Sequence, residues 1–367
     1  MLEAISDFTT WGLPQNRPIF IAGPCSVESP TQVMQTALGL KDSGIQFLRG
    51  GIWKPRTRPN SFEGIGSQGL QWLKDAGNAI NVPVMTEVAN AKHVYEALRN
   101  QIDVLWIGAR TTVNPFSVQE IADALRGVDI PVFVKNPINP DLALWIGALE
   151  RLQQSGIRKI AAIHRGFSSH ADSRYRNIPL WEIPIELKRR IPDLPIIIDP
   201  SHIAGKRELL FDLSQKAFDL DFNGIIIETH ITPDKALSDA AQQITPEQFV
   251  ALKKNIVLRK SAAENPDFNA ELEHLRHEID LIDEEILQIF AKRMTIAEKI
   301  GLCKQKNKVT ILQKDRWDTI LRTRIEDGSK KGLSQDFVVN MYNNIHKESI
   351  RHQTKIMNQD SGERKTE

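Results

Sequence analysis

Between residues 18 and 228 the chain alternates short apolar runs with longer mixed stretches. The runs occupy 19–22, 47–48, 82–85, 104–107, 132–134, 160–163, 196–198 and 225–227. Short apolar runs separated by helix-length spacers predict an α/β protein with a parallel sheet. Eight such units within roughly 230 residues fit a closed (β/α)8 barrel better than an open doubly wound sheet. The C-terminal strand ends of such a barrel form its catalytic face. Here they are followed by Cys25, Arg49 with Lys54, Glu87, Arg110, Lys135, Arg165, His202 and Glu228.

The rhythm stops after Glu228, apart from a final helix around 246–260, so the barrel is expected to span 1–260. Residues 261–269 are polar, contain a proline and read as a linker. Beyond it, Leu272, Leu275, Ile279, Ile282, Ile286, Ile289, Ile296 and Ile300 recur at steps that place them on one face of a helix over 269–306. At ~1.5 Å per residue that helix exceeds about 50 Å, too long to bury its stripe without a partner. Two more helices are expected near 312–326 and 334–357, separated by Asp327-Gly328 and Lys331-Gly332. The second domain, 270–357, is therefore an all-α three-helix unit that dimerises, and 358–367 is a polar tail.

Composition narrows the class. At 367 residues there is room for a barrel plus a smaller domain. A net charge of +1 gives no reason to expect nucleic acid or a membrane surface as partner. The N-terminus lacks a basic segment followed by an apolar core, and no apolar stretch approaches the ~20 residues of a membrane span. Cys25 and Cys303 fall in separate domains, which argues against a disulfide framework and for a reducing cytoplasm.

Two groups of residues carry candidate chemistry. Cys25, His202 and Glu228 follow strands one, seven and eight, which are neighbours in a closed barrel; Asp239 lies eleven residues beyond Glu228, with Asp234 as a rival. A thiolate, an imidazole and carboxylates suit a divalent transition metal. The alternative has Cys25 as packing, His202 as a loop residue and Glu228 as an ion-pair partner; the spacing leaves both open. The second group is Arg49, Lys54, Arg56, Arg110, Lys135 and Arg165. So many cations at one mouth repel unless an anion joins them, and guanidinium groups suit phosphate and carboxylate. Some of them are expected to pair with Glu87, Asp103 or Glu228. There is no Walker loop, no GxGxxG after a strand and no nucleophile elbow. A metal acting as Lewis acid on a phosphorylated substrate is the chemistry these residues favour.

The ordered set Gly23-Pro24-Cys25-Ser26, Leu48-Arg49-Gly50-Gly51, Lys54-Pro55-Arg56-Thr57, Gly108-Ala109-Arg110, Arg165-Gly166 and Asp199-Pro200-Ser201-His202 resembles the 3-deoxy-D-arabino-heptulosonate 7-phosphate (DAHP) synthases, type I beta, over about 16–260. The resemblance implies condensation of phosphoenolpyruvate with erythrose 4-phosphate, the first step of the shikimate pathway. It implies that Cys25, His202, Glu228 and Asp239 hold a divalent metal, Mn2+ or a similar ion. Arg110, Lys135 and Arg165 would face the phosphate of phosphoenolpyruvate, with Arg49 and the catalytic Lys54 near its carboxylate and reacting atoms. Arg56 and Thr57 would bind erythrose 4-phosphate. The chain departs from the pattern at Val113, where a glutamine usually precedes Asn114, at His164 in place of glutamate and at Ala240 in place of glycine. The related synthases of 3-deoxy-octulosonate 8-phosphate typically carry Lys-Ala-Asn-Arg where this chain has Lys54-Pro55-Arg56-Thr57, and rank second.

The helical domain resembles the AroQ-class chorismate mutases over 270–357. Arg276, Arg293, Lys304, Arg316, Ser349 and Gln353 fall at that family's spacing. Apart from any resemblance, Arg293 interrupts the apolar series between Ile289 and Ile296, and a guanidinium on such a stripe needs an anionic partner. The resemblance implies that Lys304 and Gln353 contact the ether oxygen of chorismate. Arg293 and Arg316 would take its carboxylates, with Ser349 lining the site and Arg276 supplied by the partner chain. Trp317 and Gln313 stand where acids normally contact the substrate hydroxyl and nearby polar groups. The chain thus reads as a fused synthase and mutase, whose helical domain also senses chorismate or prephenate. The alternative is that this domain only dimerises and binds ligand.

Overall fold

Each apolar run forms a strand, and the strands close into one parallel barrel in the order β1 to β8. They are β1 (Ile19–Gly23), β2 (Phe47–Arg49), β3 (Val84–Val88), β4 (Val104–Ile107), β5 (Val132–Lys135), β6 (Ile160–His164), β7 (Ile196–Ile198) and β8 (Gly224–Glu228). The third strand starts at Val84 rather than at 82; Pro83 has no N–H to give a ladder. The seam closes where β1 pairs with β8, Gly23 opposite Glu228. This computed structural model describes residue 11 and residues 18–54, 62–169, 173–259, 263 and 265–359. Contacts divide the chain into two units, Met1–Ser261 and Ala262–Glu367.

Helices α1 (Pro30–Leu40), α2 (Gln68–Ile80), α3 (Ala91–Arg99), α4 (Ala109–Thr112), α5 (Pro115–Ala124), α6 (Leu142–Gln154), α7 (Glu182–Arg190), α8 (Pro200–Ala204), α9 (Leu210–Asp219) and α10 (Pro246–Asn255) connect and follow the strands. Their starts are written in the sequence. Asn114 accepts from the Phe116 and Ser117 amides ahead of Pro115, and Thr245 with Gln248 forms a capping box on α10.

Strand alternation splits the core in two. Ile21, Phe47, Met85, Trp106, Phe133, Ile163, Ile197 and Ile226 fill the barrel, closed by Trp11, whose ring meets Phe133 edge-on at 6.0 Å. Ala22, Leu48, Val84, Leu105, Val134, Ala162 and Ile198 face the helices instead. The same parity has a chemical consequence. Two residues beyond the inward Phe47, Phe133 and Ile226 come Arg49, Lys135 and Glu228, all buried at the C-terminal end of the barrel interior.

The second unit consists of α11 (Pro266–Lys306), α12 (Lys314–Lys330) and α13 (Gln335–Gln359). Two boundaries differ from the sequence reading. The long helix begins inside the expected linker, because Asn265 caps it and Pro266 occupies its first position. Asp327-Gly328 does not break α12. Gly328 is buried, and a Cβ there would come within 2.5 Å of Val338 Cγ2, so it permits close helix packing rather than a turn. The turn falls at Lys331-Gly332, where Gly332 has φ 78°. Within this unit the α11 stripe stays open, with Ile279 57 % and Ile289 60 % exposed. No described helix is long and apolar enough to cross a membrane.

Candidate functional site

The barrel site grows from the inward parity of the strand ends and the loops that follow. Gly23 carries the chain off β1 with φ 146°, and a Cβ there would lie 2.1 Å from the Arg49 carbonyl oxygen. Only glycine allows this approach, which delivers Cys25 against the second strand. Cys25 Sγ lies 2.8 Å from Lys54 Nζ and 3.3 Å from Asp239 Oδ2. Cys25, Glu228 and Asp239 each place a donor atom within 4.8 Å of the others. His202 stands beside this group, with Nε2 3.7 Å from Glu228 Oε1 and Nδ1 2.8 Å from Asp199 Oδ2. A carboxylate behind the far ring nitrogen orients a metal-ligating histidine in this way. Asp239 adopts a left-handed backbone, φ 49° and ψ 39°, whereas its rival Asp234 is exposed and pairs with Arg207 at 2.6 Å.

These donors fit a divalent metal on their own chemistry. The Glu228 Oε1 atom is buried and accepts no hydrogen bond among the described residues, although Arg49 Nη2 is 3.1 Å away. Burial, reinforced by Glu228, pushes the Cys25 thiol up to about 12, with Lys54 opposing. Burial would also raise Glu228, but His202, Arg49 and Lys54 hold it below the ordinary carboxylate range. A cation among them would favour the thiolate and the carboxylates together.

The cations divide by partner. Arg49 sits over the Trp106 ring at 5.1 Å, and Lys135 at 5.8 Å. As expected, one clamp pairs with Glu228: it is Arg49. Glu87 instead accepts from Trp106 Nε1 at 2.8 Å, and Asp103 pairs with Lys74. Lys135 pairs with Asp199 at 2.9 Å. Arg165 is buried; burial, helped by Arg176 and Arg110 and opposed by Asp199, brings its guanidinium down to about 10. A guanidinium whose charge is disfavoured by burial and by other cations suits an anion. Arg110 itself is exposed on α4. Arg56 and Thr57 lie outside the described residues.

Sequence reasoning missed the supporting groups. Arg176 bridges Asp239 Oδ1 at 2.9 Å and Gln242 Oε1 at 2.7 Å, and Gln242 donates to Glu228 at 2.7 Å. Asn136 accepts from the Arg165 amide, Asn177 accepts from its guanidinium at 2.6 Å, and Asn177 donates to the His202 carbonyl. Asp199, quoted only as part of a motif, joins Lys135 to His202. Polar residues just past strand ends were the one available cue, for Asn136 and Asp199; Arg176, Asn177 and Gln242 lack even that.

The helical unit encloses a cavity of about 420 Å³. Arg293, Lys304, Arg316, Ser349 and Gln353 line it, with Gln313, Trp317 and His346. Arg293 donates to Ser349 Oγ at 2.5 Å, and Lys304 to the Ile311 carbonyl at 2.6 Å. Gln353 Oε1 is buried without a partner. Arg276 does not line this cavity; it is exposed and pairs with Glu273 at 2.6 Å.

Residues 13–264 match the model of the DAHP synthetase I family, and residues 275–354 that of chorismate mutase type II. A phospho-2-dehydro-3-deoxyheptonate aldolase of Thermotoga maritima is 35 % identical over 63 % of this chain and 67 % of its own. A 2-dehydro-3-deoxyphosphooctonate aldolase of Nitrobacter winogradskyi is 27 % identical over 69 % of this chain and 92 % of its own. The crystal structure of a Thermotoga maritima DAHP synthase superposes with a TM-score of 0.61 at 32 % identity, covering 67 % of this chain and 71 % of that one.

Proposed function

The chain belongs to the DAHP synthetase I family and continues into a chorismate mutase type II domain, and from that premise we propose how its own residues serve each reaction. The barrel condenses phosphoenolpyruvate with erythrose 4-phosphate, giving DAHP and phosphate; the helical domain rearranges chorismate to prephenate. The octulosonate 8-phosphate alternative is not favoured, since its relatives are more distant, at 27 % identity against 35 %.

The observation that carries the barrel reading is a soft-and-hard donor cluster, Cys25, Glu228 and Asp239, with Lys54 and Arg49 against it, and with Lys135 and Arg165 linked to the neighbouring His202 through Asp199 and Asn177. Cys25, His202, Glu228 and Asp239 would hold a divalent metal such as Mn2+, which supplies Lewis acidity to a carbonyl oxygen. Arg110, Lys135 and Arg165 clamp the phosphate of phosphoenolpyruvate, and Arg49 meets its carboxylate. Arg56 and Thr57 take erythrose 4-phosphate. Carbon three of the enol attacks the aldehyde carbon, and water adds at carbon two before the carbon–oxygen bond to phosphate breaks. Burial would lower Lys54, but Cys25 and Glu228 hold it above its ordinary value. Protonated, its Nζ can supply a proton to the aldehyde oxygen as that becomes a hydroxyl.

In the helical domain, Arg293 and Arg316 take the two carboxylates, Lys304 and Gln353 meet the ether oxygen, and Ser349 holds Arg293 in place. Such a site works by selecting a compact conformer and stabilising charge on the ether oxygen. The open α11 stripe supports pairing with a second copy, which would bring Arg276 of the partner subunit to the cavity. Because one chain carries both sites, prephenate or chorismate is the natural effector of the barrel. Free thiols at Cys25 and Cys303 suit the cytoplasm.

The test follows phosphoenolpyruvate consumption with erythrose 4-phosphate, with and without EDTA, and then with saturating prephenate. Loss with EDTA and inhibition by prephenate support the whole reading. Indifference to EDTA removes the metal, and indifference to prephenate removes the sensor.

A further inference from the structure

The cavity of the helical unit contains one side chain to which the roles above give no task. His346 on α13 lines it, and its ring lies flat on Trp317 of α12, centroids 4.0 Å apart and planes 19° apart. The stack fixes where the imidazole points, yet neither ring nitrogen has a hydrogen-bond partner among the described residues. No carboxylate lines the cavity among the described residues either. Burial, then Arg293 and Lys304, lower the His346 pKa. At neutral pH the ring is therefore uncharged and offers one lone pair and one N–H.

Chorismate brings two carboxylates, an ether oxygen and a ring hydroxyl. The cations and Gln353 answer the first three, which leaves the hydroxyl to be matched with a remaining polar group. Ser349 is committed to Arg293 and to the Ile345 carbonyl. Gln313 is exposed at the cavity edge. Of the remaining groups that can accept a hydrogen bond, His346 alone is both unpartnered among the described residues and held in position; the indole N–H of Trp317 can only donate. We propose that His346, fixed by its stack on Trp317, receives the ring hydroxyl of chorismate, so that the pair forms a specificity wall. Trp317 is then a positioning residue, acting through the histidine.

The inference rests on the mutase reading, and its test separates the two. The full-length chain is assayed for kcat/KM on chorismate and on chorismate lacking its ring hydroxyl. His346→Phe keeps a ring for Trp317 to stack on but removes both nitrogens. It should lower kcat/KM for chorismate about tenfold, the scale of one hydrogen bond with its partner left unpaired, and leave the deoxy substrate unchanged. His346→Gln, which restores an acceptor, should recover most of the preference, and Trp317→Ala should lose part of it. If His346→Phe does not fold, His346→Leu is read in the same way. Equal losses on both substrates, or an undiminished preference in the substituted chain, would overturn the inference alone. Failure of the unsubstituted chain to form prephenate would overturn the mutase reading and this inference with it.

Discussion

The two sites solve opposite problems. In the barrel most charged groups already have a charged neighbour, Arg49 with Glu228, Lys135 with Asp199 and Arg176 with Asp239, while Lys54 lies against the Cys25 sulfur. The helical cavity gathers Arg293, Lys304 and Arg316 with no lining carboxylate among the described residues, and leaves Gln353 Oε1 without a partner. The barrel site is therefore held in shape by its own charges. The helical site leaves its cations without a carboxylate in the cavity, and its long helix leaves its apolar stripe open. Internal pairing favours rigidity, whereas unpaired cations favour ligand capture and sensitivity to ligand concentration.

This contrast can be broken from either side. The largest effect is expected at Cys25→Ser, which should cut metal-dependent condensation by on the order of a thousandfold, about 4 kcal/mol of lost Lewis-acid stabilisation, with mutase turnover intact. Full activity with stoichiometric metal by elemental analysis would reduce Cys25 to packing. Next comes Lys135→Met, which leaves buried Asp199 with His202 but without its cation, and should destabilise the barrel by about 3 kcal/mol in denaturant titrations. Removing Arg276 from its exposed pair with Glu273 should change stability by less than about 0.5 kcal/mol. A similar loss at both positions would mean that internal pairing is not what distinguishes the units.

On the helical side, Arg293→Ala should weaken chorismate binding about a hundredfold by calorimetry while the barrel melts as before. Retained affinity would move the carboxylate site elsewhere. A last effect is graded in pH. His164 is buried among Trp145, Phe167 and Trp181, and burial lowers its pKa from 6.5 to about 3. A depressed histidine stabilises the fold fully above its unfolded value. That contribution is lost at about 1.4 kcal/mol per pH unit as pH falls below 6.5 toward the folded value. His164→Phe should flatten the stability of the barrel over that window; an unchanged slope would assign it to other groups.

The barrel was legible because alternation and strand ends are local signals. A period of two sends Arg49, Lys135 and Glu228 inward with Phe47, Phe133 and Ile226, and no tertiary knowledge is needed to see it. Arg176, Asn177 and Gln242 were illegible for the converse reason. They sit in irregular connections without a period, and meaning comes only from what the fold brings beside them. Gly328 shows a third case. Glycine punctuates a sequence whether it bends the chain or lets two helices touch, and only the nearness of Val338 tells the two apart.

The height of the Cys25 pKa has a last consequence, for the proposed metal site before any cation enters it. With the thiol pushed up to about 12, the sulfur stays protonated at neutral pH, and the thiolate is the form that oxidants and alkylating agents attack. The chain thus shelters this sulfur behind a proton. On the proposed reading, loading a cation would expel that proton, so the sulfur would become a thiolate only when the ion that covers it arrives.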